Sequence, residues 1–261
     1  MLRRFRAAGL VWPTLVAIPA FAVLIGLGVW QWQRMDWKNS IVARIEARGK
    51  EAPLPQSQAL ELSCGVRDGR MSQACEYLRV RLTGTFEHGD ERHIFAGVHA
   101  VDGRSSVGYW VFTPFRIKDA GPTVYVNRGF VPEALKDPAK RLDGRPNGEV
   151  EIVAQIRSRE DRGLFDATND AGKNMYFVRA PSELGGSSVM ASAPDGDRLG
   201  SNQLYLEIVS SPGQSGFPRP LAGTITIINK HFEYALTWWA LALTLVGVYV
   251  AFALGRLRLG A

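Results

Sequence analysis

Two long runs without charge, one at each end, constrain this chain more than anything else in it. No charged residue occurs from Ala7 to Gln33, and none from Tyr234 to Gly255. At about 1.5 Å per residue, 20 apolar residues in a helix reach about 30 Å, the thickness of a bilayer hydrocarbon core. The sequence therefore predicts a membrane protein with two transmembrane helices, residues 10–33 and 231–254. They flank an extracytoplasmic domain of residues 34–230, with short tails of residues 1–9 and 255–261. A cleaved signal peptide competes for the first run, with Ala20-Phe21-Ala22 as a cleavage site. But Val23 to Trp30 continue the apolar run, so a cleaved product would begin with a greasy segment. The uncleaved anchor is the favoured reading.

Charge assigns the orientation. Arg3, Arg4 and Arg6 precede the first run, and Arg256 and Arg258 follow the second, with no acid beside either set. Without those five arginines the net charge falls from +6 to +1. The middle is nearly neutral and requires no nucleic-acid partner. The positive-inside rule then puts both termini in the cytoplasm and the central domain outside. No long Arg/Ser-rich leader precedes Arg3, which points to a bacterial inner membrane. Trp30, Trp32 and Trp37 near one exit, and Trp238 and Trp239 near the other, fit an interfacial aromatic belt.

The central region reads as β-rich. Ile41, Val42 and Ile45 have helical spacing and predict a short helix ending at Gly49, before Pro53 and Pro55. A polar stretch covers 57–73. Alternation and composition then predict strands at 77–83, 93–98, 109–115, 123–127, 149–157, 174–179, 204–209 and 224–228. A short helix is expected within 132–140 and a mobile loop across 182–202. Short strands at this spacing imply an α+β domain that is barrel- or sandwich-like.

Chemistry-bearing residues are few. Cys64 and Cys75, with ten residues between them, favour a disulfide in an oxidising compartment; free thiols and a metal pair are the alternatives. No nucleophile elbow, zinc-protease helix, P-loop or dinucleotide fingerprint is present, so no catalytic residue is expected. His88, His93 and His99 cluster in sequence, and His93 and His99 share a face if their strand is regular. The sharper candidate opens the second run. On a helix His231, Tyr234 and Trp238 fall at i, i+3 and i+7, an imidazole with aromatics to pack a macrocycle. A helix-capping histidine at the headgroups is the bland alternative. Glu233 is expected to reach the interface or pair with Lys230.

Four blocks carry a family resemblance. They are Leu27-Gly28-Val29-Trp30-Gln31-Trp32-Gln33-Arg34 with Trp37-Lys38; Gly108-Tyr109-Trp110-Val111-Phe112-Thr113-Pro114; Val126-Asn127-Arg128-Gly129-Phe130-Val131-Pro132; and His231-Phe232-Glu233-Tyr234-Ala235-Leu236-Thr237-Trp238-Trp239. In this order they resemble the surfeit locus protein one family. The resemblance implies a two-span, non-enzymatic factor for assembly of heme–copper cytochrome c oxidase, acting at the heme a stage of its catalytic subunit. It also implies His231 as an axial ligand of transiently held heme a. Departures are Phe130 where the family more often has Trp, the charges of Lys230 and Glu233, and the Cys64–Cys75 insert. Asn127-Arg128-Gly129 is read as a strand ending in a tight turn. Two alternatives stay open: a heme-free chaperone of the same subunit, and a membrane-anchored enzyme using His88, His93 and nearby acids.

Overall fold

The computed structural model describes residues 6, 8–67, 70–71, 74–101, 104–119, 121–185, 198–211, 216–220 and 229–259. The chain divides into two compact units, residues 1–44 with 226–261, and residues 45–225.

The first unit is a pair of long apolar helices, α1 (Val11–Lys50) and the C-terminal α4 (His231–Leu259). Their 40 and 29 residues correspond to about 60 and 43 Å. Pro13 lies in the first turn of α1, where a missing N–H costs nothing; Pro19 lies inside it. The short separate helix expected around Ile41 is instead the continuation of α1. No glycine or proline interrupts 31–48, so nothing stops the helix before Gly49. Gly28 sets how closely the pair packs. A Cβ there would stand 2.1 Å from Trp239 Nε1. Trp32 packs against Trp239 and Phe232, with ring centroids 6.0 and 6.2 Å apart. Further along, Thr14 Oγ1 hydrogen-bonds the Tyr249 hydroxyl.

The second unit begins with the last turn of α1. There Arg48 donates to the Ala74 carbonyl (2.8 Å) and Arg79 to that of Gly49 (2.9 Å). Helix α2 (Gln56–Glu61) and a small hairpin, β1 (Val66–Arg67) and β2 (Arg70–Met71), follow. Cys64 and Cys75 are joined as a disulfide, both buried in the core. The main sheet contains β3 (Arg79–Phe86), β4 (Arg92–Val101), β5 (Arg104–Ile117), β6 (Thr123–Pro132), β7 (Glu149–Ser158) and β8 (Leu204–Ser210), in the order β3-β7-β8-β6-β5-β4. β3 also pairs with the end of β5, Gly84 opposite Ile117 and Phe86 opposite Phe115. That contact closes β3, β7, β8, β6 and β5 into a ring, so of the two architectures expected the barrel is the one formed. All pairs are antiparallel except β6 with β8.

Inside the ring lie Val80, Leu82, Phe86, Phe115, Val126, Ile152, Ile156, Leu206 and Ile208, all buried. β3 starts at Arg79 rather than at 77 because Tyr77 has φ +66°, which breaks extended backbone. The expected strand at 174–179 is not one. Asn174 is left-handed (φ +48°) after a 3-10 turn at Ala171–Lys173, and Tyr176 makes only an isolated bridge to Ile94. The expected helix within 132–140 is two 3-10 turns, Glu133–Leu135 and Pro138–Lys140. A short helix α3 (Pro181–Leu184) opens the expected loop; its stretch 186–197, and the expected strand at 224–228, lie outside the described residues.

Asn127-Arg128-Gly129 does not end a strand. It lies inside β6 at a bulge, where the register to β5 shifts between Trp110 and Phe112. Asn127 Oδ1 accepts from the Gly129 N–H (3.0 Å). Gly129 has φ +121°, and a Cβ there would meet the Arg219 carbonyl oxygen at 2.1 Å. Residues 219–220 cross β6 at the one position that has no side chain. Gly129→Ala is therefore expected to cost at least on the order of 1–3 kcal/mol from backbone strain alone. Gly148→Ala, also at positive φ (+75°) but in open space, is the reference. Denaturant unfolding of the purified protein should show the larger loss at 129.

Candidate functional site

In the helix pair, His231 is the first residue of α4. Asn229 prepares that start. Its Oδ1 accepts from the His231 N–H (3.4 Å), and its Nδ2 donates to Asn39 Oδ1 (2.9 Å) and the Met35 carbonyl (3.4 Å). The ring is fixed from α1, because His231 Nδ1 donates to Gln31 Oε1 at 2.5 Å. An amide oxygen only accepts, so the proton sits on Nδ1 and the lone pair on Nε2. Nε2 has no hydrogen-bond partner among the described residues. Gln31, Arg34 and Lys38 recur at i, i+3 and i+7, which puts two cations on the α1 face that holds the imidazole. Arg34 also stacks over Trp37, 3.8 Å from the ring centroid.

α4 meets α1 through a row other than that of His231, Tyr234 and Trp238. Ala235 and Ala242 are buried, and Trp239 packs on Gly28 and Trp32. His231, Ala235 and Trp239 thus form the contact row at i, i+4 and i+8. Tyr234 is 55% exposed, off that row, and Trp238 is partly buried. The i+3/i+7 pattern and the i+4/i+8 pattern are equally helical in sequence. The glycine opposite Trp239 chooses between them. Val29, Trp32 and Trp239 line an open apolar recess of about 430 Å³. Trp239 lies about 12 Å along the axis from His231. Glu233 is exposed and makes no ion pair with Lys230.

The sheet unit separates the other histidines. A bulge between Phe95 and Gly97 breaks the alternation of β4, so His93 and His99 do not act together. His99 packs on Trp110 and Phe130, at 4.9 and 5.2 Å. His88 Nε2 donates to the Pro146 carbonyl (2.9 Å), and burial pushes its imidazole below the ordinary value. No cluster of three metal-ligating side chains occurs among the described residues.

His93 belongs to a buried ionic knot that sequence reading missed. Its Nε2 lies 2.7 Å from Glu91 Oε1, and Arg141 clamps the same carboxylate with both terminal nitrogens, Nη1 at 3.2 Å. Burial raises the Glu91 pKa, but the hydrogen bonds from His93 and Arg141 outweigh it and hold the carboxyl below its usual range. Arg128 is fully buried, stacked 4.8 Å from the Phe86 ring and donating to the Gly144 carbonyl. Burial lowers its pKa to about 10. Its Nε and Nη1 have no hydrogen-bond partner among the described residues. Its guanidinium is committed to the barrel. The only signal for these groups was a buried charge, which a linear pattern does not mark.

The helix start and the bulged β6 both fall inside the stretch that matches a known family. Residues 18–243 match the model of the SURF1 family. The chain belongs to the SURF1 family. Surfeit locus protein 1 of Rattus norvegicus is 32% identical over 238 residues, covering 87% of this chain and 70% of that protein. A SURF1-like protein of Monosiga brevicollis is 30% identical over 263 residues, covering 94% and 88%. Surfeit locus protein 1 of Homo sapiens is 27% identical over 240 residues, covering 87% and 72%. In this SURF1-family chain the four blocks meet in pairs. The first and fourth join through Gln31–His231 and Gly28–Trp239. The second and third are the paired strands β5 and β6.

The knot yields a stability prediction. Arg141→Ala removes the only permanent cation paired with the buried Glu91 carboxylate among the described residues, leaving His93 as its one side-chain partner there, and is expected to cost about 3–5 kcal/mol. Because the folded-state pKa of Glu91 is depressed, its contribution is present above the ordinary value of 4.5 and is lost as pH falls through the lowered one. Glu91→Gln should flatten that acid-side fall in unfolding free energy measured across pH.

Proposed function

We propose that this chain is a membrane-anchored, non-enzymatic assembly factor for heme–copper cytochrome c oxidase. It holds heme a transiently at His231 and presents it to the catalytic subunit. The carrying observation is an imidazole at the start of α4, fixed through Nδ1 by Gln31 and with no hydrogen-bond partner at its Nε2 among the described residues. Membership of the SURF1 family supports the oxidase as client. α1 and α4 are long and apolar enough to cross a bilayer. The terminal arginines support the reading that both ends face the cytoplasm, here of a bacterial inner membrane. The barrel then lies in the periplasm, where the Cys64–Cys75 disulfide is at home.

The residues fit such a cargo. Heme a supplies an iron that takes an imidazole nitrogen as axial ligand, on an apolar ring with acidic edges. His231 offers Nε2. Gln31 holds the tautomer that keeps it available, as partners of ligating histidines commonly do. Trp32, Trp239 and Val29 offer an apolar recess on the same helix pair. Arg34 and Lys38 supply positive charge for carboxylates. Tyr234 and Trp238, on the outer side of α4, add aromatic surface for the macrocycle or the client.

The test is the optical spectrum of the full-length protein purified in detergent from a host that makes heme a. His231→Ala should remove the heme absorbance, and an unchanged spectrum would end the ligand assignment. Gln31→Leu should keep the fold and weaken heme retention by about 10–100-fold, as loss of a ligand's hydrogen-bonding partner does. Wild-type protein that is colourless yet co-purifies with the catalytic subunit would favour the heme-free chaperone.

A further inference from the structure

The loop that follows β7 displays two large apolar side chains that the proposed function does not use. Leu164 is 99% exposed and Phe165 100%. Single exposed apolar residues are common, but adjacent ones standing wholly in water are not. The chain that carries them is firmly tied. The Gly163 N–H donates to Asp166 Oδ2 (2.5 Å) and the Asp166 N–H to the Gly163 carbonyl (3.3 Å). Arg162 braces the base, with Nη1 on the Ala167 carbonyl (2.7 Å) and Nη2 on Glu183. Asn169 grips the same carboxylate (2.8 Å) and accepts from the Phe177 N–H (3.1 Å). The turn is built to present its tip.

Charges beside the tip are engaged elsewhere. Arg162 pairs with Glu183, Asp166 caps Gly163, and Asp161 pairs with Arg159 at 3.5 Å. Nothing charged has to be desolvated for the tip to leave water. The loop also leaves the barrel at an informative end. β7 finishes at Ser158, next to where Gln155 pairs with Arg79, and Arg79 holds the Gly49 carbonyl at the close of α1. The loop therefore starts from the strand ends that lie beside Gly49, near where the chain enters this unit.

Area decides between occupants. Leu164 and Phe165 together offer on the order of 300–400 Å² of apolar surface. A stable protein interface takes about 800 Å² from each partner, so a second copy would find too little here. A lipid surface needs no such area when the chain is already anchored beside it, because the tether supplies a high effective concentration.

We propose that Leu164 and Phe165 form a wedge that seats in the interfacial layer of a lipid bilayer, independently of lipid charge. This rests on the reading that α1 and α4 cross the membrane. With both native cysteines in a disulfide, a single introduced cysteine is the only thiol available to label. Full-length Leu164→Cys, Phe165→Cys and, as a water-exposed reference, Lys118→Cys are labelled with a nitrobenzoxadiazole dye. Lys118 lies at the other end of β7, paired with Glu149. The proteins are reconstituted into phosphatidylcholine vesicles, with and without phosphatidylglycerol and doxyl-lipid quenchers. The expected result is blue-shifted emission and doxyl quenching at 164 and 165 but not at 118, unchanged by phosphatidylglycerol or salt. Emission at 164 and 165 matching the reference overturns the wedge. A blue shift without doxyl quenching overturns it in favour of a protein contact. Quenching only with phosphatidylglycerol, abolished by salt, overturns the charge-independent mode. Failure of the protein to float with the vesicles counts against the membrane reading itself, whereas flotation without quenching counts against the wedge alone.

Discussion

Backbone N–H and C=O groups must be paired wherever water is excluded, and this requirement shapes both units. In α1 and α4 each group pairs within its own segment, the solution open to an apolar helix in apolar surroundings. In the barrel the pairing runs between strands, and β5 completes it. Its early part pairs with β4, and its last residues pair with β3. Gly84 makes this closure possible, since a Cβ there would lie 2.2 Å from the Arg116 carbonyl oxygen. A side chain at 84 would push β3 off β5 and open the ring.

A second constraint is close approach, and glycines mark where it occurs. Gly28 admits the Trp239 indole, and Gly129 admits the 219–220 backbone. Gly108 lies against the Val131 carbonyl oxygen and the Phe130 ring. Each is a place where two chain segments distant in sequence come closer than side chains allow. The block residues that surround these glycines, Gln31 and His231 in one unit and Asn127 and Arg128 in the other, are oriented by that proximity. Arg128 illustrates the difference between a motif and a site. Its charge is buried against Phe86 and Gly144, so it builds the barrel and is not presented to a ligand.

Much of the architecture was legible in the sequence because it rests on local periodicity. The long charge-free runs became α1 and α4, and the alternation of Val80 and Leu82 became an inward strand face. What failed to read did so for physical reasons. Residues 174–179 have the composition of a strand, but Asn174 adopts a left-handed turn held by Asp170 and Met175. The continuity of α1 was hidden by its change from apolar to charged residues, which alters solvent preference without altering helix propensity. The β4 bulge reversed the parity on which the His93 and His99 reading depended. The Glu91–His93–Arg141 knot joins residues 50 apart and leaves no periodic trace.

The sequence by itself determined that both ends form apolar helices, that a β-rich domain lies between them, and that an imidazole stands at the start of the second helix. These follow from the spacing of side chains along one segment. Only the tertiary structure decided that the ring of strands closes, that Gln31 holds His231 by one nitrogen, and that Trp239 rather than Tyr234 faces the neighbouring helix. Those are matters of which segments touch. They are set by glycines, bulges and buried charges whose effect exists only once the partner segment has arrived.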